Sequence, residues 1–95
     1  MKGIVFLGDK KLEIQDFDDP SPGPDDVIIE IKASGMCGSD LKFYRANNGP
    51  SSLGLGGDDK PVIAGHEPCG TIVEIGSNVP KKTFQLDTRV ICLLY

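Results

Sequence analysis

Two short segments of this chain hold side chains able to bind a metal ion or move a proton. Gly35-Met36-Cys37-Gly38-Ser39-Asp40 offers a thiol, a hydroxyl and a carboxylate, and Gly65-His66-Glu67-Pro68 offers the only histidine beside another carboxylate. Cys37 and His66 lie 29 positions apart, so they share a metal only if the fold brings two separate strand ends together, which spacing alone does not decide. Each also has an ordinary structural reading, since cysteine is among the most buried residue types and a single histidine commonly serves as a surface or hydrogen-bonded group.

Other chemistries fail on their spacing. Gly54-Leu55-Gly56-Gly57 resembles the start of a phosphate loop, but a dinucleotide fingerprint needs a further glycine where Asp59 stands. A helical metalloprotease motif beginning at His66-Glu67 needs its second histidine where the chain has Gly70. The zinc deaminase pattern needs a residue between His and Glu and a second cysteine after the Pro-Cys pair, and neither is present.

The elements that must position these residues are short. Twelve glycines and seven prolines among 95 residues, without a fixed period, predict many strands and turns and no long helix in one small domain. Near-alternate apolar residues predict strands over 2–6 and 11–17, joined around Gly8-Asp9 as a hairpin. The three prolines of segment 18–26 predict an extended, solvated loop. Residues 27–34 are the clearest strand, with Val27, Ile29, Ile31 and Ala33 on one face and Ile28, Glu30, Lys32 and Ser34 on the other, and one face must be buried. Gly35 and Gly38 permit unusual backbone conformations, and Ser39 is placed to cap a short helix over 40–46, with Asp40 in its first turn. A long irregular loop is expected over 47–61, then strands over 69–75 and 88–94 with a turn over 76–80 between them. The final apolar run stops at Tyr95 without a closing turn, as in a piece of a longer chain.

Ten basic residues against fourteen acidic ones give a net charge of -4 with no basic cluster, which argues against nucleic acid as a partner. No apolar run has the length of a signal peptide core or a membrane span, so no membrane partner and a cytoplasmic location are the expectations. Three irregularly spaced cysteines, Cys37, Cys69 and Cys92, suit reduced thiols or metal ligands better than a disulfide framework.

Gly-Met-Cys-Gly-Ser-Asp-Leu from Gly35 and Gly-His-Glu-Pro-Cys-Gly-Thr-Ile-Val-Glu-Ile-Gly from Gly65 together resemble the medium-chain, zinc-dependent alcohol dehydrogenase family, and the ordered likeness runs over nearly the whole chain. The resemblance implies a mainly β fold, a GroES-like, partly open β-barrel with one or two short helices. It makes residues 1–95 the N-terminal part of the catalytic domain, followed in that family by a Rossmann domain for NAD or NADP that these residues do not include. It implies Cys37 and His66 as zinc ligands and Glu67 as a carboxylate beside the metal that binds it directly in some members. Asp40 becomes the carboxylate orienting the ligand histidine, and Ser39 the hydroxyl receiving the substrate alcohol's proton.

The implied activity is oxidation of a small alcohol, or reduction of the matching carbonyl, with zinc as Lewis acid and hydride passing to NAD(P)+. By the same implication these 95 residues alone are inactive, and a homo-oligomer is open to the full-length protein. A non-catalytic β-barrel binding module without metal is the alternative. Cys69 and Cys92 are expected in the core, Phe43 and Tyr44 in packing, and Ser39 retains the second reading of helix cap. Two positions depart from the family pattern: Lys42 stands where many members have a relay histidine, and Asp87 replaces a turn glycine.

Overall fold

The computed structural model describes residues 1–47 and 62–93, so most of the loop expected over 47–61 lies outside the described residues. The mainly β expectation holds, and the described residues form strands β1 (Lys2–Gly8), β2 (Lys11–Asp16), β3 (Val27–Gly35), β4 (Glu67–Ile75) and β5 (Arg89–Ile91) and one helix, α1 (Gly38–Arg45), which lies in sequence between β3 and β4. They form a two-stranded sheet, β1-β2, and a three-stranded sheet, β3-β4-β5, and neither closes on itself. The chain divides into two compact units, one of residues 1–18 with 36–65, the other of residues 19–35 with 66–95. Among the described residues no helix is long and apolar enough to cross a membrane.

In the first unit β1 and β2 pair antiparallel from Lys2 opposite Asp16 to Gly8 opposite Lys11. The connection is Asp9-Lys10, with φ of 53° and 62°, the left-handed pair that suits a two-residue hairpin to the natural twist of its strands. That turn also holds the helix. Asp9 and Lys10 donate their backbone N–H groups to the carbonyls of Ala46 and Tyr44, both at 2.9 Å, satisfying acceptors that a helix C-terminus leaves without partners. The Phe6 and Tyr44 rings pack 6.0 Å apart at 59°, which places Tyr44 in packing as expected. Val5 and Ala46 are buried, and Ile63 bridges to Val5.

In the second unit β4 is the central strand, pairing antiparallel with both β3 and β5. The simple alternation expected of β3 is not kept. Its register against β4 shifts between Ile28 and Ile29, where the extra residue is Val73 of β4, and shifts back between Ile31 and Ala33, where the extra residue is Lys32 of β3. Val27, Ile28 and Ile29 are all half-buried, while Ile31 is 52% exposed. The proline-rich segment is exposed but anchored, since Gly76 and Asn78 donate to the carbonyls of Asp26 and Pro24, each at 2.7 Å. Ile72, 1% exposed, and Val79 form the small core of this unit.

Two positions show where backbone geometry limits the sequence. A Cβ on Gly70, which faces Ile31 on one side and Val90 on the other, would run into the Glu30 carbonyl, and a main-chain obstacle cannot swing aside. Asp87 has φ of 65°, so the turn that lost its glycine keeps the left-handed backbone, and its N–H still donates to the Ile72 carbonyl at 2.8 Å. Gly70→Ala is expected to cost about 2 kcal/mol or more by overpacking, and a denaturation midpoint equal to that of the parent chain would contradict the crowding. Asp87→Val should lose about 1–2 kcal/mol because a β-branched residue resists this φ, whereas Asp87→Asn should melt with the parent chain.

Candidate metal centre

The β3–β4 ladder ends where its last pair, Gly35 and Glu67, face each other. Gly35 is followed two residues later by Cys37, and Glu67 is preceded directly by His66, so the covalent chain makes both candidate donors leave from this end of the ladder. Gly65, at φ of 104°, turns the chain into His66 through a backbone conformation that glycine alone adopts readily. A Cβ on Gly35 would meet Oε2 of Glu67, so the bare backbone there makes room for the carboxylate. Gly35 and Gly38 do not have positive φ, contrary to the expectation for this pair, and the need for glycine at 35 is space for Glu67.

Cys37 is the N-cap of α1, with extended backbone at φ -109° and ψ 177°. Its own N–H donates to Oδ2 of Asp40 at 2.9 Å, and the Asp40 N–H returns to the Cys37 carbonyl at 3.2 Å. The helix thus begins two residues earlier than expected, and Ser39 lies inside its first turn and is not the cap. The reason is Asp40, whose side chain reaches back three residues to the cap amide and favours starting the helix at Gly38. Asp40 is only 4% exposed, the one buried charged residue among those described. Its negative charge also suits the first turn of the helix. Ser39 is exposed, and its Oγ lies 2.8 Å from Cys37 Sγ.

Cys37 and His66 are half-buried and Glu67 is exposed, a range of burial compatible with ligands that must be held yet reached from solvent. Cys69 and Cys92 are free and half-buried, not in the core as expected, because Cys69 lines a surface cavity beside Thr71, Arg89 and Ile91 and Cys92 follows a three-residue edge strand. Lys42 is exposed on α1, and together with Arg45 it sits in the last turn, where positive charge complements the helix dipole. The contributions that sequence reasoning missed are the Asp40 grip on the Cys37 amide and the space at Gly35. The Cys-x-x-Asp spacing carried the first, but Ser39 is the more usual capping residue and obscured it.

Residues 23–94 match the alcohol dehydrogenase GroES-like domain. The chain is 38% identical over 96 residues to the acryloyl-coenzyme A reductase of Sulfurisphaera tokodaii, covering 100% of this chain and 26% of that protein. It is 36% identical over 89 residues to YdjL, an uncharacterized zinc-type alcohol dehydrogenase-like protein of Escherichia coli K12, covering 94% and 22%. In three dimensions it is similar to the 2R,3R-butanediol dehydrogenase of Bacillus subtilis, with a TM-score of 0.74 at 28% identity, covering 95% of this chain and 26% of that one. The chain therefore spans about a quarter of the length of these relatives.

Removing the Asp40 carboxylate isolates its grip on the donor turn. Asp40→Ala should lower stability by about 1–2 kcal/mol, because the Cys37 amide loses its partner and the helix its first-turn acceptor. Asp40→Asn keeps an acceptor oxygen and should recover most of that loss in urea unfolding. Equal losses in the two variants would mean that the charge, not the amide contact, is what matters.

Proposed function

The chain belongs to the alcohol dehydrogenase GroES-like domain family, and we propose that it supplies the first metal ligands, Cys37 and His66 with Glu67 beside them, of a zinc-dependent alcohol or polyol dehydrogenase. The substrate would be a small alcohol or its carbonyl counterpart, and the hydride carrier NAD or NADP bound elsewhere in a longer protein. The observation that carries this reading is the pairing of Gly35 with Glu67, from which the segments bearing Cys37 and His66 both depart.

The donor set suits the metal. A thiolate sulfur, an imidazole nitrogen and a carboxylate oxygen are the ligand atoms zinc takes, and a catalytic site keeps one position open. Zinc, when bound, supplies the Lewis acidity that makes loss of an alcohol proton favourable near neutral pH. The remaining work falls to the protein. Asp40 holds the main chain of Cys37 through its amide. In this reading its other task is to orient His66, as ligand histidines require of a neighbouring acceptor.

Ser39 is the group that takes the substrate proton. A hydroxyl accepts on its oxygen while releasing its own hydrogen, so one side chain can begin the proton's route outward. Lys42 does not extend that route, because an ammonium has no acceptor lone pair. Ser39 is exposed, and the proton therefore passes from it directly to solvent.

In the full-length protein Cys37→Ala should abolish stoichiometric zinc and lower alcohol oxidation by more than about 100-fold, beyond what changes outside the ligand shell produce. Metal analysis and steady-state kinetics on the same preparation check it. Retention of both zinc and turnover would reject the proposal, and a full-length protein without zinc or dehydrogenase activity would favour a non-catalytic β-barrel binding module.

A further inference from the structure

The Ser39 hydroxyl has a partner inside the protein. Its Oγ lies 2.8 Å from Cys37 Sγ, across a single turn whose main chain is already fixed by the Asp40 carboxylate on the Cys37 amide. Metal ligation requires the thiolate, and a thiolate only accepts. The hydrogen between the two atoms then belongs to the serine, which has one to give.

We infer that Ser39 is a positioning residue for the ligand sulfur: its O–H donates to Cys37 Sγ, limits the side-chain directions open to the cysteine and draws electron density from the thiolate. The inference rests on the proposed role of Cys37 as a zinc ligand. A less electron-rich sulfur neutralises the metal less completely and leaves it a stronger Lewis acid. Hydrogen bonding around ligands tunes metals in this way. Donation to sulfur also affects the proton route. The same hydrogen cannot stay on the sulfur and leave toward solvent, so the hydroxyl must turn away from Cys37 before it passes the substrate's proton on.

Cobalt in place of zinc in the full-length protein makes the sulfur visible, because thiolate-to-cobalt charge transfer absorbs in the near ultraviolet at an energy that falls as the sulfur becomes richer in electrons. The wild-type protein should show this band and Cys37→Ala should diminish it. Ser39→Ala should move the band to longer wavelength, and Ser39→Thr, which restores a hydroxyl, should return it. Alanine at an exposed helical position preserves the fold, and far-ultraviolet circular dichroism with equal cobalt content verifies the comparison. A band in Ser39→Ala that coincides with the wild-type band, or a shift that Ser39→Thr does not reverse, overturns the inference while leaving the metal site intact. Absence of the band in the wild-type protein overturns the zinc reading itself.

Discussion

The antiparallel pairing of β3 with β4 is the constraint on which the candidate site depends, because its final pair decides where the chain departs toward both donors. Gly35 opposite Glu67 leaves Cys37 two residues from the ladder on one strand and His66 one residue from it on the other. Backbone hydrogen bonds set this register, and they act on every residue of the ladder at once. Two irregularities along the way offset each other: the extra residue between Ile28 and Ile29 lies on β4 and the one between Ile31 and Ala33 lies on β3, so Val27 opposite Ile75 and Gly35 opposite Glu67 belong to the same register.

Glycine and aspartate then refine what the ladder places. Gly65 makes the turn into His66, and Gly35 clears the space in which the Glu67 carboxylate lies. Asp40 buries its charge to hold one amide, and that amide is the one on the candidate sulfur ligand. A buried carboxylate without such a partner would be costly, so the pairing explains both why Asp40 tolerates its surroundings and why Cys37 is held. Ser39, in the same turn, places its hydroxyl 2.8 Å from that sulfur.

Much of this was legible in the residues. The hairpin, the proline-rich loop, the strands on either side of the metal-donor segments and the short helix all follow from period and punctuation, and the motif around Cys37 and His66 identified the family. The positive φ at Asp87 was foreshadowed by a glycine that the chain lacks. What did not follow was the burial of β3, because it depends on what packs against each face, which one segment alone does not record. The helix start was also misplaced. A cysteine is a weak cap by side chain, and its selection here comes from a carboxylate three residues on that pulls the boundary toward it.

The hairpin turn at Asp9-Lys10 has a consequence for the order in which the chain organises itself. An eight-residue helix does not hold its shape alone in water, and α1 is of that length. Its C-terminal carbonyls are satisfied by the two turn amides, groups that exist in the right orientation only once β1 and β2 have paired. The hairpin is the most local structure in the unit and can assemble early, before any distant contact is made. The far end of the helix that Cys37 caps is thus tied to a strand pairing within the first sixteen residues of the chain, so a change that loosens the hairpin also loosens the helix.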